Sequence, residues 1–234
     1  MANETGAKTA LVVGGSRSLG LRITEELLGR GWDVIATVRS AGSEGLELLR
    51  ETYPSGGLTV ETLDMTEPSQ IDALKERLDG TSLDLLFVNA GITNADEPVG
   101  AVSTDDFVKV MVTNALSPMR VIETLGSLVT PAGTIGVMSS RQGSVSFNTV
   151  GGHEVYRASK SALNQLVRSY AARTSADSRT LLLVHPGWVQ TELGGTDARL
   201  TVEESARGVA DVLEDHGGDG GLQFIDYQGH IVPW

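Results

Sequence analysis

The stretch Thr9-Ala10-Leu11-Val12-Val13-Gly14-Gly15-Ser16-Arg17-Ser18-Leu19-Gly20 decides the fold. A strand-length apolar run passes straight into a glycine-rich turn, after which Leu19, Ile23, Leu27 and Leu28 repeat at helical spacing. Glycine lets the backbone approach a ligand closely, and the first N–H groups of the following helix carry partial positive charge toward the same point. Together they suit a pyrophosphate. Working outward, further strand-length runs fall at residues 34–38, 58–63, 83–88, 133–138, 180–184 and 222–225, with helical spacing between them, as at Ile71, Leu74 and Leu78. These runs are almost continuously apolar rather than alternating, as parallel strands covered on both faces require. The pattern predicts an α/β chain: a single-domain Rossmann fold with a doubly wound, mostly parallel seven-stranded sheet and helices on both faces.

Boundary signals agree. Thr66-Glu67-Pro68 precedes one helix, Thr201-Val202-Glu203-Glu204 has the form of a capping box before another, and Gly31, Gly80 and Gly217-Gly218 follow helical stretches. No Pro/Ser-rich linker or internal repeat divides the 234 residues, so one domain over 1–234 is expected. Within it, residues 188–204 read as a substrate loop, with Gly194-Gly195 as its candidate mobile point, and 226–234 as a C-terminal tail.

The chain has no cysteine, which excludes thiol nucleophiles, thiolate metal sites and disulfides. Its 18 basic and 30 acidic residues leave a net charge of −12, which opposes binding to nucleic acid or anionic membrane. The N-terminal MANETGAK lacks a basic segment followed by an apolar run, and no run approaches the length of a membrane span, so a soluble cytoplasmic protein is expected. His153, His185, His216 and His230 show no ligand spacing, and no metal is assigned.

At the nucleotide end, Gly14, Ser16, Arg17, Ser18, Leu19 and Gly20 are the candidate phosphate-binding turn. An acidic residue closing the second strand would accept from a ribose 2′-hydroxyl and repel a 2′-phosphate. Here the strand ends Ala36-Thr37-Val38-Arg39-Ser40, so Arg39, with Arg17 opposite, offers forked donors to a phosphate. NADP(H) is therefore expected in preference to NAD(H). The small Ala90 and Gly91, after the fourth strand, leave room for a cofactor along the strand ends.

At the other end, Tyr156 and Lys160 lie four residues apart and so share one helical face. An ammonium beside a phenol favours the phenolate and lets tyrosine exchange a proton near neutrality, although an exposed helical pair is the alternative. Ser139-Ser140 ends the fifth strand, where a hydroxyl can polarise a carbonyl. Pro118, four residues after Asn114 in a helix expected over 111–125, cannot donate to the Asn114 carbonyl, which is left free. The competing possibility is a proline kink with Asn114 on a solvated face.

These motifs, in this order, resemble the short-chain dehydrogenase/reductase family over nearly the whole chain. The turn is similar to the family's TGxxxGxG at Gly14 and Gly20, with Val13 for the threonine and Ser18 for the middle glycine. Val88-Asn89-Ala90-Gly91 resembles NNAG with Val88 for the first asparagine, and His185-Pro186-Gly187-Trp188-Val189-Gln190-Thr191 resembles PGxVxT. The resemblance implies a catalytic set of Asn114, Ser140, Tyr156 and Lys160, with Ser139 as the fallback for Ser140 and a water on the Asn114 carbonyl leading to Lys160, and cofactor contacts from Asp64, Met65, Asn89, Ala90, Gly91, Tyr156, Lys160, Pro186, Gly187, Val189 and Thr191. It also implies a reversible NADPH-dependent carbonyl reductase, with Tyr156 as general acid/base and Lys160 lowering its pKa, acting on a small carbonyl or alcohol substrate. A homodimer or homotetramer through the helices carrying Asn114 and Tyr156 would follow. The ending Phe224 to Trp234 is similar to the subgroup holding C-factor and Sniffer-type carbonyl reductases, which leaves a dinucleotide-binding signalling protein as one alternative and an epimerase or dehydratase as another.

Overall fold

In the computed structural model of the chain, residues 6–40, 42–54 and 57–234 are described; the start of the MANETGAK segment lies outside them. The strands are β1 (Thr9–Val13), β2 (Asp33–Val38), β3 (Leu58–Thr62), β4 (Leu83–Val88), β5 (Val129–Met138), β6 (Thr180–His185) and β7 (Gly221–Asp226). They form one seven-stranded sheet in the order β3-β2-β1-β4-β5-β6-β7, and every neighbouring pair is parallel. The helices are α1 (Ser18–Gly29), α2 (Glu44–Thr52), α3 (Pro68–Arg77), α4 (Thr104–Met111), α5 (Ser117–Leu125), α6 (Glu154–Arg173) and α7 (Val202–Asp215).

Alternation along β1 splits the core in two. Ala10 and Val12 join Ile23 and Leu27 of α1, Leu46 and Leu49 of α2, and Val209 and Leu213 of α7. Leu11 and Val13 point the other way, into Ile71 and Leu74 of α3, Ile122 and Leu125 of α5, and Leu163 and Val167 of α6. A strand buried on both faces has no polar side to show, which explains the continuous apolar runs. The order reverses between β1 and β4, so the helices leaving these strands depart on opposite faces and a crevice opens at their carboxyl ends.

Most expected boundaries hold within a residue. Thr201 caps α7 through a complete capping box, so the loop expected over 188–204 ends at this cap. β5 begins four residues before the expected 133, because Val129 pairs with Leu83 across a register shift that accommodates Pro131. The stretch 111–125, expected as one helix, passes from α4 to α5 through a π-helical turn, Val112–Leu116, in which Ser117 N–H donates to the Val112 carbonyl. Proline at position 118 supplies the cause: it has no N–H for the Asn114 carbonyl, and the helix widens by one residue just before it. The tail after β7 turns on Asp226, whose Oδ1 accepts from the N–H groups of Gln228 (2.9 Å) and His230 (3.0 Å). It then runs back beside β7, with Trp234 against Phe224 and Arg168.

Candidate active site

A cleft of about 1620 Å³ runs along the carboxyl ends of the strands, from the turn after β1 to Tyr156 and the tail. At its nucleotide end Gly14 takes φ +84°, a conformation that costs glycine nothing. Three hydrogen bonds fix the turn: Gly14 N–H donates to Thr37 Oγ1 (3.0 Å), Asn89 Nδ2 donates to the Gly14 carbonyl (3.1 Å), and Asn89 N–H donates to the Val13 carbonyl (3.0 Å). A Cβ at Gly20 would collide with the Gly14 carbonyl oxygen, so this glycine lets helix α1 start directly against the turn. Thr37 was not singled out from the sequence; the signal available was a single hydroxyl near the end of an apolar strand.

Ser18, the first residue of α1, has φ +49°, in the region L-residues rarely adopt. Arg17 and Arg39 both line the cleft. Arg17 lies 3.4 Å from Glu192 across the mouth, with both side chains exposed. Asp64 Oδ1 accepts from the Thr66 hydroxyl (2.7 Å) and N–H (2.9 Å), and these bonds, with the charge of Arg39, hold its carboxyl below the usual range despite burial. Met65 is buried beside it, and Ala90 and Gly91 line the floor. A Cβ at Gly91 would stand 3.3 Å from Asn114 Oδ1 and 3.5 Å from Lys160 Nζ, so the missing side chain keeps open the path between the two ends.

At the chemical end, α6 buries Tyr156 and Lys160 to 8% and 3% exposure, which removes the exposed-pair alternative. Lys160 Nζ donates to the Met138 carbonyl (2.9 Å) and sits 5.9 Å from the centre of the Tyr156 ring. Ser140, at the end of β5, accepts from Gln142 N–H (3.1 Å) and its hydroxyl faces the phenol. Burial pushes the Tyr156 phenol up to about 12, opposed by Ser140. Burial pushes the Lys160 ammonium down to about 8. Burial thus holds the phenol above its ordinary value, with Ser140 opposing it, where the resemblance implied a value lowered by Lys160. A phenol in this setting keeps its proton at neutral pH and can give it to a developing oxyanion. Ser139, the fallback, donates to Asn164 Oδ1 (2.6 Å), so its hydroxyl is committed to α6.

Asn114 is fully buried, which overturns the solvated-face alternative. Its amide clasps Ile92, accepting from the N–H (2.8 Å) and donating to the carbonyl (2.7 Å), and also donates to Ser159 Oγ (3.0 Å), one residue before Lys160. After β6, Pro186, Gly187, Val189 and Thr191 all line the cleft. Thr191 Oγ1 accepts from Gly194 N–H (3.0 Å) and its carbonyl accepts from Gly195 N–H (2.9 Å), so this hydroxyl already closes the loop turn. Trp188 Nε1–H donates to the Gly194 carbonyl (2.7 Å), bracing the loop further. His153 lines the mouth and its N–H donates to Asp96 Oδ1 (2.6 Å). His185 also faces the cleft; burial pushes its imidazole down to about 4, and its Nδ1 has no partner among the described residues.

Fold and site together define a doubly wound α/β protein with a buried serine, tyrosine and lysine at one end of its cleft. Residues 8–199 match the family model described as short chain dehydrogenase, and the chain belongs to that family. It is similar to a solved short-chain dehydrogenase/reductase of Burkholderia multivorans with bound NADP, at 54% identity and a TM-score of 0.95, covering 97% of this chain and 100% of that one. It is similar also to a carbonyl reductase of Pseudomonas aeruginosa PAO1 in complex with NADP, at 36% identity and a TM-score of 0.90 over 97% and 100% of the two chains. Among curated relatives, C-signal of Myxococcus xanthus is 38% identical over 154 residues, 65% of this chain and 93% of the relative. Among the described residues, no helix is long and apolar enough to cross a membrane.

Proposed function

We propose that this chain is an NADPH-dependent carbonyl reductase, reversible as an alcohol dehydrogenase, whose proton donor is Tyr156. The observation that carries this is the buried Tyr156 phenol held beside the Ser140 hydroxyl in the cleft, with Lys160 on the same buried face. The cleft fits a dinucleotide: it has a glycine turn at one end, space beside Gly91 in the middle, and the acid/base group at the other. Arg17 and Arg39 would take a 2′-phosphate, and Lys160 the nicotinamide ribose hydroxyls. Reduced dinucleotide, when bound, supplies the hydride to the carbonyl carbon. Ser140 orients the carbonyl oxygen, and Tyr156 releases its proton to that oxygen as the C=O bond becomes C–O, leaving an alcohol.

Relatedness to C-signal favours a second reading, a dinucleotide-binding signalling protein. A sensor has no use for a buried proton donor aligned with a hydroxyl and an amine. Phe107 and Val108 of α4 and Leu166 of α6 are exposed apolar side chains on the helices through which a homodimer or homotetramer would form. NADPH consumption across a panel of ketones and aldehydes is the discriminating experiment. Reductive turnover of at least one carbonyl supports the enzyme; NADPH binding without turnover of any supports the sensor.

A further inference from the structure

The substrate half of the cleft holds a cation that the fold does not use. Arg141 follows Ser140 directly, lines the cleft, and places its guanidinium carbon 3.8 Å from the centre of the Phe147 ring. A guanidinium lying over a ring contacts it with one face and leaves its N–H edge free, the geometry that receives a carboxylate in fork fashion. The acids lining the same cleft are already engaged: Asp64 with Thr66, Glu192 with Arg17, and Asp226 with the backbone of its own turn. No carboxylate among the described residues pairs with Arg141.

One neighbour points the same way. His185 Nδ1 is buried, lies in a residue that lines the cleft, and has no hydrogen-bond partner among the described residues. Buried polar atoms are ordinarily paired, and in the tautomer that carries its proton there Nδ1 donates to a carboxylate. Around it the rim is apolar: Trp188 (51% exposed), Leu193 and Ile231 (82% exposed) open onto the cleft.

We infer that Arg141 is a specificity-determining residue that anchors an anionic substrate: a carbonyl compound with an apolar stem ending in a carboxylate. The stem lies against Phe147 and the rim, the carboxylate on the guanidinium, and the carbonyl at Ser140 and Tyr156. This deepens the proposed reductase function and rests on it for the carbonyl, whereas the anion anchor has a readout of its own.

Binding is measured first, by calorimetry on the NADP-loaded protein, with hexanoate and its neutral counterpart hexanamide as probes. Hexanoate is expected to bind about 10-fold or more tighter, in line with a charge-assisted hydrogen-bonded pair. That preference should vanish in Arg141→Met, persist in part in Arg141→Lys, which keeps the charge without the fork, and survive in Arg199→Gln, a second cation on the cleft. Equal binding of the two probes to the unmodified protein, or an equal loss in Arg199→Gln, would overturn the anchor. The second assay compares kcat/KM for levulinate and its methyl ester. A ratio favouring the acid that falls toward one in Arg141→Met, through KM rather than kcat, supports the inference; a ratio near one in the unmodified protein contradicts it. Arg141-dependent binding of hexanoate without reduction of any carbonyl would sink the reductase function and leave the anion site standing.

Discussion

Ser18 shows how a departure from a family pattern becomes physical once its backbone angle is known. The turn needs a left-handed residue there, glycine meets that need freely, and serine meets it at φ +49° with strain. Ser18→Gly should therefore raise stability by up to about 1 kcal/mol, less the entropy glycine adds to the unfolded chain. Thermal melting checks this, and a lower melting temperature would show that the serine earns its place through contacts. His185 gives a prediction of opposite kind. Its folded pKa lies near 4 against an ordinary 6.5, so the unfolded chain binds the extra proton first. Stability from this group is intact above about 6.5 and falls as the pH drops toward 4, by up to roughly 1.4 kcal/mol per unit. Urea unfolding at stepped pH should show that slope in the unmodified protein and a shallower one in His185→Gln; equal slopes would contradict the burial argument. That these residues gather along one cleft was legible because they sit in spaced motifs. The direction of the Tyr156 shift was not, since it depends on burial, which a sequence does not display.

At the scale of elements, the strands were readable because a buried parallel sheet leaves an uninterrupted apolar signature. The start of β5 escaped because Pro131 and the exposed Ala132 break that signature while Val129 still pairs with Leu83. Two other departures explain each other. Val13 and Val88 are register partners on neighbouring strands, both buried, so an apolar pair stands where the family pattern has two polar residues. Asn89, one residue later, keeps the polar duty by holding the glycine turn. The π-helical turn at Val112–Leu116 was half legible: Pro118 announces a withheld hydrogen bond, but only packing decides that the helix widens rather than bends. That widening sets the Asn114 amide against Ile92 and Ser159, which ties the loop after β4 to the helix bearing Tyr156 and Lys160.

For the whole molecule, a net charge of −12 contrasts with a cleft where Arg17, Arg39 and Arg141 gather at two ends. The overall field repels anions, so the phosphate and carboxylate of the proposed ligands would be drawn by these local groups at short range. Arg39→Asp should weaken NADPH by about 10-fold or more while sparing NADH, because an acid beside the 2′-position repels phosphate and accepts from a hydroxyl. Fluorescence titration with both cofactors reads the ratio; an unchanged ratio would contradict the assignment of NADPH preference.

The most direct measurement is the single-turnover reduction of a carbonyl substrate by Tyr156→Phe, alongside its affinity for NADPH. Loss of the hydroxyl removes the proton proposed to reach the carbonyl oxygen and leaves the ring in place. Turnover should fall by at least about 100-fold, as expected for loss of a general acid, with NADPH affinity within a few-fold of the unmodified protein. Undiminished turnover in that variant would contradict Tyr156 as the acid.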